Sequence, residues 1–139
     1  MDIKRILGPD DHPLLDMFLA TAGESLKTFR YFSKRTYDVL KNHRVTYVGL
    51  DGDVPVCYGH LDLDGEKTWL GVCVSWNQRG KGYGRVMMEA LLDFAKESGV
   101  SKIDLSVDSD NSIARRMYEK YSFVRTGEKN GVCYYVKES

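Results

Sequence analysis

Three observations in the sequence predict an α/β fold, a mixed and mostly antiparallel central sheet flanked by helices on both faces. Asp51-Gly52 and Asp64-Gly65 each separate two apolar-rich runs, the pattern of tight hairpin turns. An amphipathic stretch from about Gly82 to Ser98 stands between two strand-like runs, so those runs can be parallel neighbours joined by a helical crossover. A further hairpin pattern closes the chain.

The elements follow in order. Ile3 to Leu7 suits a short first strand. Pro9-Asp10-Asp11 offers a turn and an N-cap, after which Leu14, Leu15, Phe18, Leu19 and Ala22 form a helical stripe that Gly23 can stop. A second helix is expected from Ser33 to Asn42, with Tyr37 and Leu40 inward. Val45 to Leu50, Val54 to Leu61 and Thr68 to Val74 make a three-stranded meander. The helix from Gly82 to Ser98 carries Met87, Ala90, Leu91, Phe94 and Ala95 on one face, with Gly99 beyond its end. Lys102 to Val107 alternates as a strand, Asn111 to Tyr121 is the last helix, and Phe123 to Thr126 pairs with Val132 to Lys137. The order is β-α-α-β-β-β-α-β-α-β-β.

The length of 139 residues suits one domain, expected over 1–139, and no repeat or linker interrupts it. Twenty basic and twenty acidic residues balance, which leaves no bulk field to recruit nucleic acid or an anionic membrane. Cys57, Cys73 and Cys133 match no zinc or redox spacing, so reduced and mostly buried thiols in a cytoplasmic protein are expected, with no metal site. No signal peptide and no membrane-spanning run is read in the chain.

The stretch from Val74 to Arg85 carries the most chemistry. Gly80, Gly82 and Gly84 alternate with basic residues between an apolar strand and a helix start. Glycine lets the backbone approach a ligand, and a helix N-terminus presents unpaired N–H groups and a positive dipole end to an anion. The physical reading is a diphosphate cradle. It is not the dinucleotide fingerprint, because Arg85 stands at the third glycine position, nor a Walker loop, because Gly80-Lys81-Gly82 lacks the hydroxyl residue.

Arg79-x-x-Gly82-x-Gly84 resembles the signature of the GNAT superfamily of acyl-CoA-dependent N-acyltransferases. A second block strengthens the resemblance: Asn111, Ala114, Tyr118 and Phe123 match Asn-x-x-Ala-x-x-x-Tyr-x-x-x-Gly-Phe, with Ser122 in place of the glycine. The resemblance runs from about Val54 to Val136. It implies acetyl-CoA as co-substrate, held by Arg79, Gly80, Lys81, Gly82, Tyr83, Gly84 and Arg85 around the diphosphate. It also implies that the Thr68 to Val74 and Lys102 to Val107 strands splay apart to admit the pantetheine arm. Backbone groups of Val72, Cys73 and Val74 would then pair with that arm, and Asn111 would contact the pantetheine or the diphosphate. Without the resemblance, Asn111 reads equally as a helix N-cap.

Acyl transfer from a thioester to an amine needs a neutral amine, a stabilised oxyanion and an acid for the thiolate. Tyr118 is the acid the resemblance implies; read on its own it belongs to the apolar face of Ile113, Ala114, Met117 and Tyr121. His60, Asp62, Glu66 and an ordered water are the candidate bases. His60 has a suitable ordinary pKa, although a lone His beside strand residues is also a common structural group. A Glu that some protein N-terminal acetyltransferases carry is Ser106 here. Phe29, Arg30, Tyr31 and Tyr58 are expected at the acceptor, where aromatics beside an arginine suit an amino sugar or a sugar nucleotide; packing of the rings is the alternative. The expected activity is direct N-acetylation of a small-molecule primary amine by a monomer or homodimer. A silent acyl-CoA sensor and a protein or peptide N-acetyltransferase are the rival readings.

Overall fold

The computed structural model describes residues 1–138. Its strands are β1 (Asp2–Arg5), β2 (His43–Asp51), β3 (Val54–Asp64), β4 (Lys67–Val74), β5 (Lys102–Asp108), β6 (Val124–Lys129) and β7 (Val132–Glu138). Its helices are α1 (His12–Thr21), α2 (Tyr83–Glu97) and α3 (Ser112–Lys120). One seven-stranded sheet runs in the order β1-β2-β3-β4-β5-β7-β6. Every neighbour pair is antiparallel except β4 and β5. The α2 crossover imposes that exception, as a helix between two strands of one sheet demands.

Strand alternation sends side chains to two different cores. Val45, Leu61, Leu70, Ile103 and Leu105 face α2, whose Met87, Met88, Leu91 and Ala95 complete the larger core. Val48, Tyr58 and Cys73 point the other way and meet Leu15 and Phe18 of α1 with Ile6 and Ala22. Phe18, Met87, Met88 and Leu91 are fully buried, each worth about 1.5–3 kcal/mol of hydrophobic stabilisation.

The expected helix from Ser33 to Asn42 is not there. Only a 3-10 turn, Tyr37–Asn42, forms, and a second 3-10 turn occupies Gly23–Lys27. Local and tertiary bonds outcompete the helix. The Ser33 hydroxyl and amide both donate to the Arg30 carbonyl, and the Thr36 side chain accepts from the Asp38 amide. Phe29, Tyr31, Phe32 and Tyr37 follow no single helical stripe, and together they cover Tyr58 and His60. Ser122 adopts φ 72°, the left-handed conformation that suits the glycine it replaces.

Candidate active site

Strands β4 and β5 pair at a single register point, Trp69↔Asp104, whereas β5 pairs with β7 along its whole length. Beyond Trp69 the parallel pair opens, and a cavity of about 530 Å³ fills the gap. Gly71 and Val72 line it from β4, Ser106, Val107 and Asp108 from β5, and Asn111, Ala114 and Tyr118 from α3. Phe29, Arg30, Tyr31, His60, Asp62 and Asp64 complete the lining. The splay and the irregular segment before β2 therefore build one space.

The glycine-rich turn lies beside that space rather than in it. Gly80 and Gly82 have φ of 80° and 82°, conformations that cost an L-residue with a side chain about 1–2 kcal/mol. Gly82 is the N-cap of α2 and gives no side-chain cap, so the amides of Tyr83, Gly84 and Arg85 have no intrahelical carbonyl to bond. Arg79 folds back, its Nε donating to the Trp76 carbonyl at 2.9 Å with its guanidinium over the Trp76 ring, and Lys81 donates to Gln78 at 2.8 Å. The anion-binding capacity of the turn thus rests mainly on backbone amides. A Cβ at Gly84 would sit 3.5 Å from Met117 Sδ and 3.6 Å from Val74 Cγ2, which ties the turn to β4 and α3, the elements that wall the cavity.

Tyr118 is buried, 7% exposed, at the α3 wall. Burial, with Cys73 nearby, pushes its phenol up to about 12. Burial likewise pushes the Cys73 thiol up to about 12. Asn111 does both things considered for it: its Oδ1 accepts from the Ala114 amide at 3.3 Å as the α3 N-cap, and the residue lines the cavity.

Around His60 lies a hydrogen-bonded aromatic and histidine cluster. Tyr58 Oη lies 2.7 Å from His60 Nδ1. Tyr31 Oη donates to Asp62 Oδ2 at 2.9 Å and lies 2.7 Å from His43 Nε2, while His43 Nδ1 lies 2.8 Å from Thr46 Oγ1. Burial above all, then the neighbouring His43 and Arg35, holds His60 well below its ordinary value. His43 is pushed down to about 4, again by burial, against the opposing pull of Asp62. Both rings are therefore neutral at neutral pH.

Of the residues expected at the site, Phe29, Arg30, Tyr31, His60, Val72, Asn111 and Tyr118 meet around the one cavity. Tyr58 does not reach it: 1% exposed and packed by Phe18, Phe29 and Phe32, it sits behind His60 and supports it. Cys73 and Val74 lie outside the lining, the Cys73 side chain in the α1-side core and the Val74 carbonyl accepting from Ser25 Oγ at 2.6 Å. Glu66 is exposed at the β3–β4 turn and does not line the cavity. Arg30 is not a free cation, because Asp108 takes it in a bidentate pair at 2.9 and 3.1 Å. Asp108, His43 and Trp69 were missed. Strand alternation puts Asp108 on the same face as Ser106, but nothing local pairs it with an arginine 78 positions away.

With the cradle, cleft and buried tyrosine in place, the class of protein is an acyl-CoA-binding α/β transferase. The acetyltransferase (GNAT) family pattern matches residues 12–123, and the chain belongs to that family. It is 33% identical over 82 residues to a streptothricin acetyltransferase of Streptomyces lavendulae, a match covering 58% of this chain but only 43% of that protein. It is 26% identical over 128 residues to the uncharacterized N-acetyltransferase YjcF of Bacillus subtilis (strain 168), covering 91% of this chain and 89% of the relative. In fold it resembles the PaiA N-acetyltransferase of Thermoplasma acidophilum in complex with coenzyme A, with a TM-score of 0.75 over the whole of both chains at 15% identity.

Proposed function

We propose that this protein, as a single-domain cytoplasmic monomer or homodimer, transfers an acetyl group from acetyl-CoA directly to a primary amine of a small molecule. The supporting observation is that Tyr118, the β4–β5 gap, His60 and Asp62 line one cavity. The strained glycine turn with its three free amides fits a diphosphate, and the gap beside Val72 is open for an extended arm.

Acetyl-CoA supplies the acetyl group as an activated thioester. Tyr118 holds a proton at Oη for the sulfur leaving group. Burial raises its phenol, which keeps that proton in place at neutral pH until a desolvated thiolate takes it. The Cys73 side chain lies in the α1-side core outside the cavity lining, and burial raises its thiol, which supports direct transfer over a Cys73 adduct.

For the acceptor, Phe29 and Tyr31 offer ring faces and Asp62 and Asp64 offer carboxylates. An amino sugar fits these groups. The sugar-nucleotide version loses its anionic handle, since Arg30 is held by Asp108 and Arg35 lies over the Tyr31 ring while donating to the Tyr31 carbonyl. The test is free CoA release from acetyl-CoA across a panel of amino sugars, sugar nucleotides, amino acids, polyamines and peptide N-termini, with acetyl-CoA binding followed by calorimetry. Release dependent on a small amine is the expected result. Release with peptides alone would replace the small-molecule acceptor, and binding without release to any amine would leave a sensor.

A further inference from the structure

We infer that His60 faces the acceptor as a hydrogen-bond donor, locked in its Nε2–H tautomer by Tyr58, and that Asp62 takes the proton from the amine. The inference rests on the transferase reading above and assigns the proton within it.

The hydrogen bonds decide the tautomer. Tyr58 is 1% exposed, and His60 Nδ1 is the one partner of its hydroxyl among the described residues. A buried hydroxyl left with no acceptor for its proton costs about 1–3 kcal/mol. Tyr58 therefore donates and Nδ1 accepts. In a neutral imidazole the proton must then be on Nε2. That nitrogen lies over Gly71, where a Cβ would come within 2.5 Å of it, and both residues line the cavity. His60 thus presents an N–H to the acceptor space, whereas a base would need a lone pair there.

A second chain of bonds runs the opposite way. Tyr31 has one proton and gives it to the carboxylate of Asp62, because an ionised acceptor makes the stronger bond. Tyr31 Oη must then accept from His43 Nε2–H, and His43 Nδ1 accepts from the Thr46 hydroxyl. Thr46, His43 and Tyr31 form a row of donors ending on Asp62 Oδ2. No protein donor among the described residues reaches Oδ1, the lone-pair bearer left for the substrate. As the C–N bond forms, the amine nitrogen grows acidic and its proton passes to Oδ1, from which it leaves later to water. The thioester C–S bond breaks, the sulfur takes the Tyr118 Oη proton and leaves as the CoA thiol, and Tyr118 regains a proton from water. Tyr58, Tyr31 and His43 are positioning residues.

Long-range nitrogen–proton NMR of histidine-labelled protein reads the tautomer without any acceptor. His60 is expected as the neutral Nε2–H form at pH 7, becoming a tautomer mixture in Tyr58→Phe; an Nδ1–H form in the wild type would overturn the inference. Kinetics test the rest. His60→Gln keeps an N–H donor but cannot take up a proton, so kcat within about tenfold of wild type is expected, while Asp62→Asn lowers kcat by about 100-fold or more, the usual worth of a general base. Loss in His60→Gln as deep as in His60→Ala, or an Asp62→Asn enzyme as fast as wild type, would refute the assignment. Wild-type protein that binds acetyl-CoA yet releases CoA with no amine would instead defeat the transferase reading, and the histidine spectrum would still decide the tautomer.

Discussion

The two halves of the proposed site are built from different materials. The proposed cofactor half is made of backbone: two glycines at positive φ and the free amides at the start of α2, beside the cavity, with a strand edge that β5 leaves after one register pair. The proposed acceptor half is made of side chains that meet only in three dimensions, such as Arg30 with Asp108 and Tyr31 with His43 and Asp62. A backbone site tolerates changes in surrounding side chains and fails when a turn can no longer form. A side-chain site fails one hydrogen bond at a time. Variants that separate these modes of failure sharpen the comparison.

The largest effect is expected at the group nearest the chemistry. Tyr118→Phe removes one oxygen from a buried ring and leaves the packing against Phe123 in place. Loss of a positioned general acid should lower kcat about 100-fold or more. Calorimetry should find acetyl-CoA affinity unchanged, because the amides at the α2 start are untouched. Turnover equal to wild type at every pH would remove Tyr118 from the chemistry.

Next comes the turn itself. Gly82→Val forces a β-branched side chain into φ 82°, while the nearest atom to its Cβ, Arg85 Nη2 at 3.6 Å, is no obstacle. The penalty is conformational, about 1–2 kcal/mol, and the turn escapes it by rotating its amides away. Acetyl-CoA should bind about tenfold more weakly. The kcat at saturating acetyl-CoA should hold. A fall in kcat with unchanged affinity would mean that the turn acts on the reacting groups and that the two halves are not separate.

Gly71→Ala is the counterpart in the acceptor half. Its Cβ would land 2.5 Å from His60 Nε2 and 2.8 Å from Cε1, and the ring is hemmed in by Tyr31, His43 and Tyr58. Overpacking of this kind costs about 1–3 kcal/mol. The thermal midpoint should drop and acceptor turnover should fall, with acetyl-CoA binding retained. A midpoint equal to wild type would show that the histidine cluster yields more readily than its packing implies.

The same division explains what could be read in the sequence. The glycine turn before α2 and the placing of Tyr118 and Asn111 on the last helix and its cap were legible because each sits at a fixed spacing within one turn or helix, and local spacing survives in one dimension. The β2-β3-β4 meander and its parallel neighbour β5 followed from Asp51-Gly52, Asp64-Gly65 and the α2 crossover for the same reason. The segment from Ser33 to Asn42 was misread as a helix because its conformation is decided elsewhere: Arg35 lies over Tyr31, which Asp62 and His43 hold, and Tyr37 packs on Phe32 and donates to Asp16. Tyr58, two residues before His60, was grouped with the aromatics expected at the acceptor. That spacing does put both side chains on one strand face. It could not tell that Phe18 and Phe29 seal one of them off.

The smallest effect tests that tertiary dependence directly. Arg30 and Asp108 are half-exposed and partly exposed partners, so their ion pair adds little stability, about 1 kcal/mol at most. Arg30→Ala should barely move the unfolding midpoint. The pair matters instead as a clasp: it fastens the irregular segment carrying Phe29 and Tyr31 to the end of β5, across the cavity mouth. Arg30→Ala and Asp108→Asn should each raise the acceptor KM a few-fold, and the double variant should be no worse than either single one, as shared loss of one contact requires. An Arg30→Ala enzyme selectively impaired with phosphorylated acceptors, beside an unaffected Asp108→Asn enzyme, would instead make Arg30 a ligand for substrate. That result would restore the anionic handle and move one more group from scaffold to recognition.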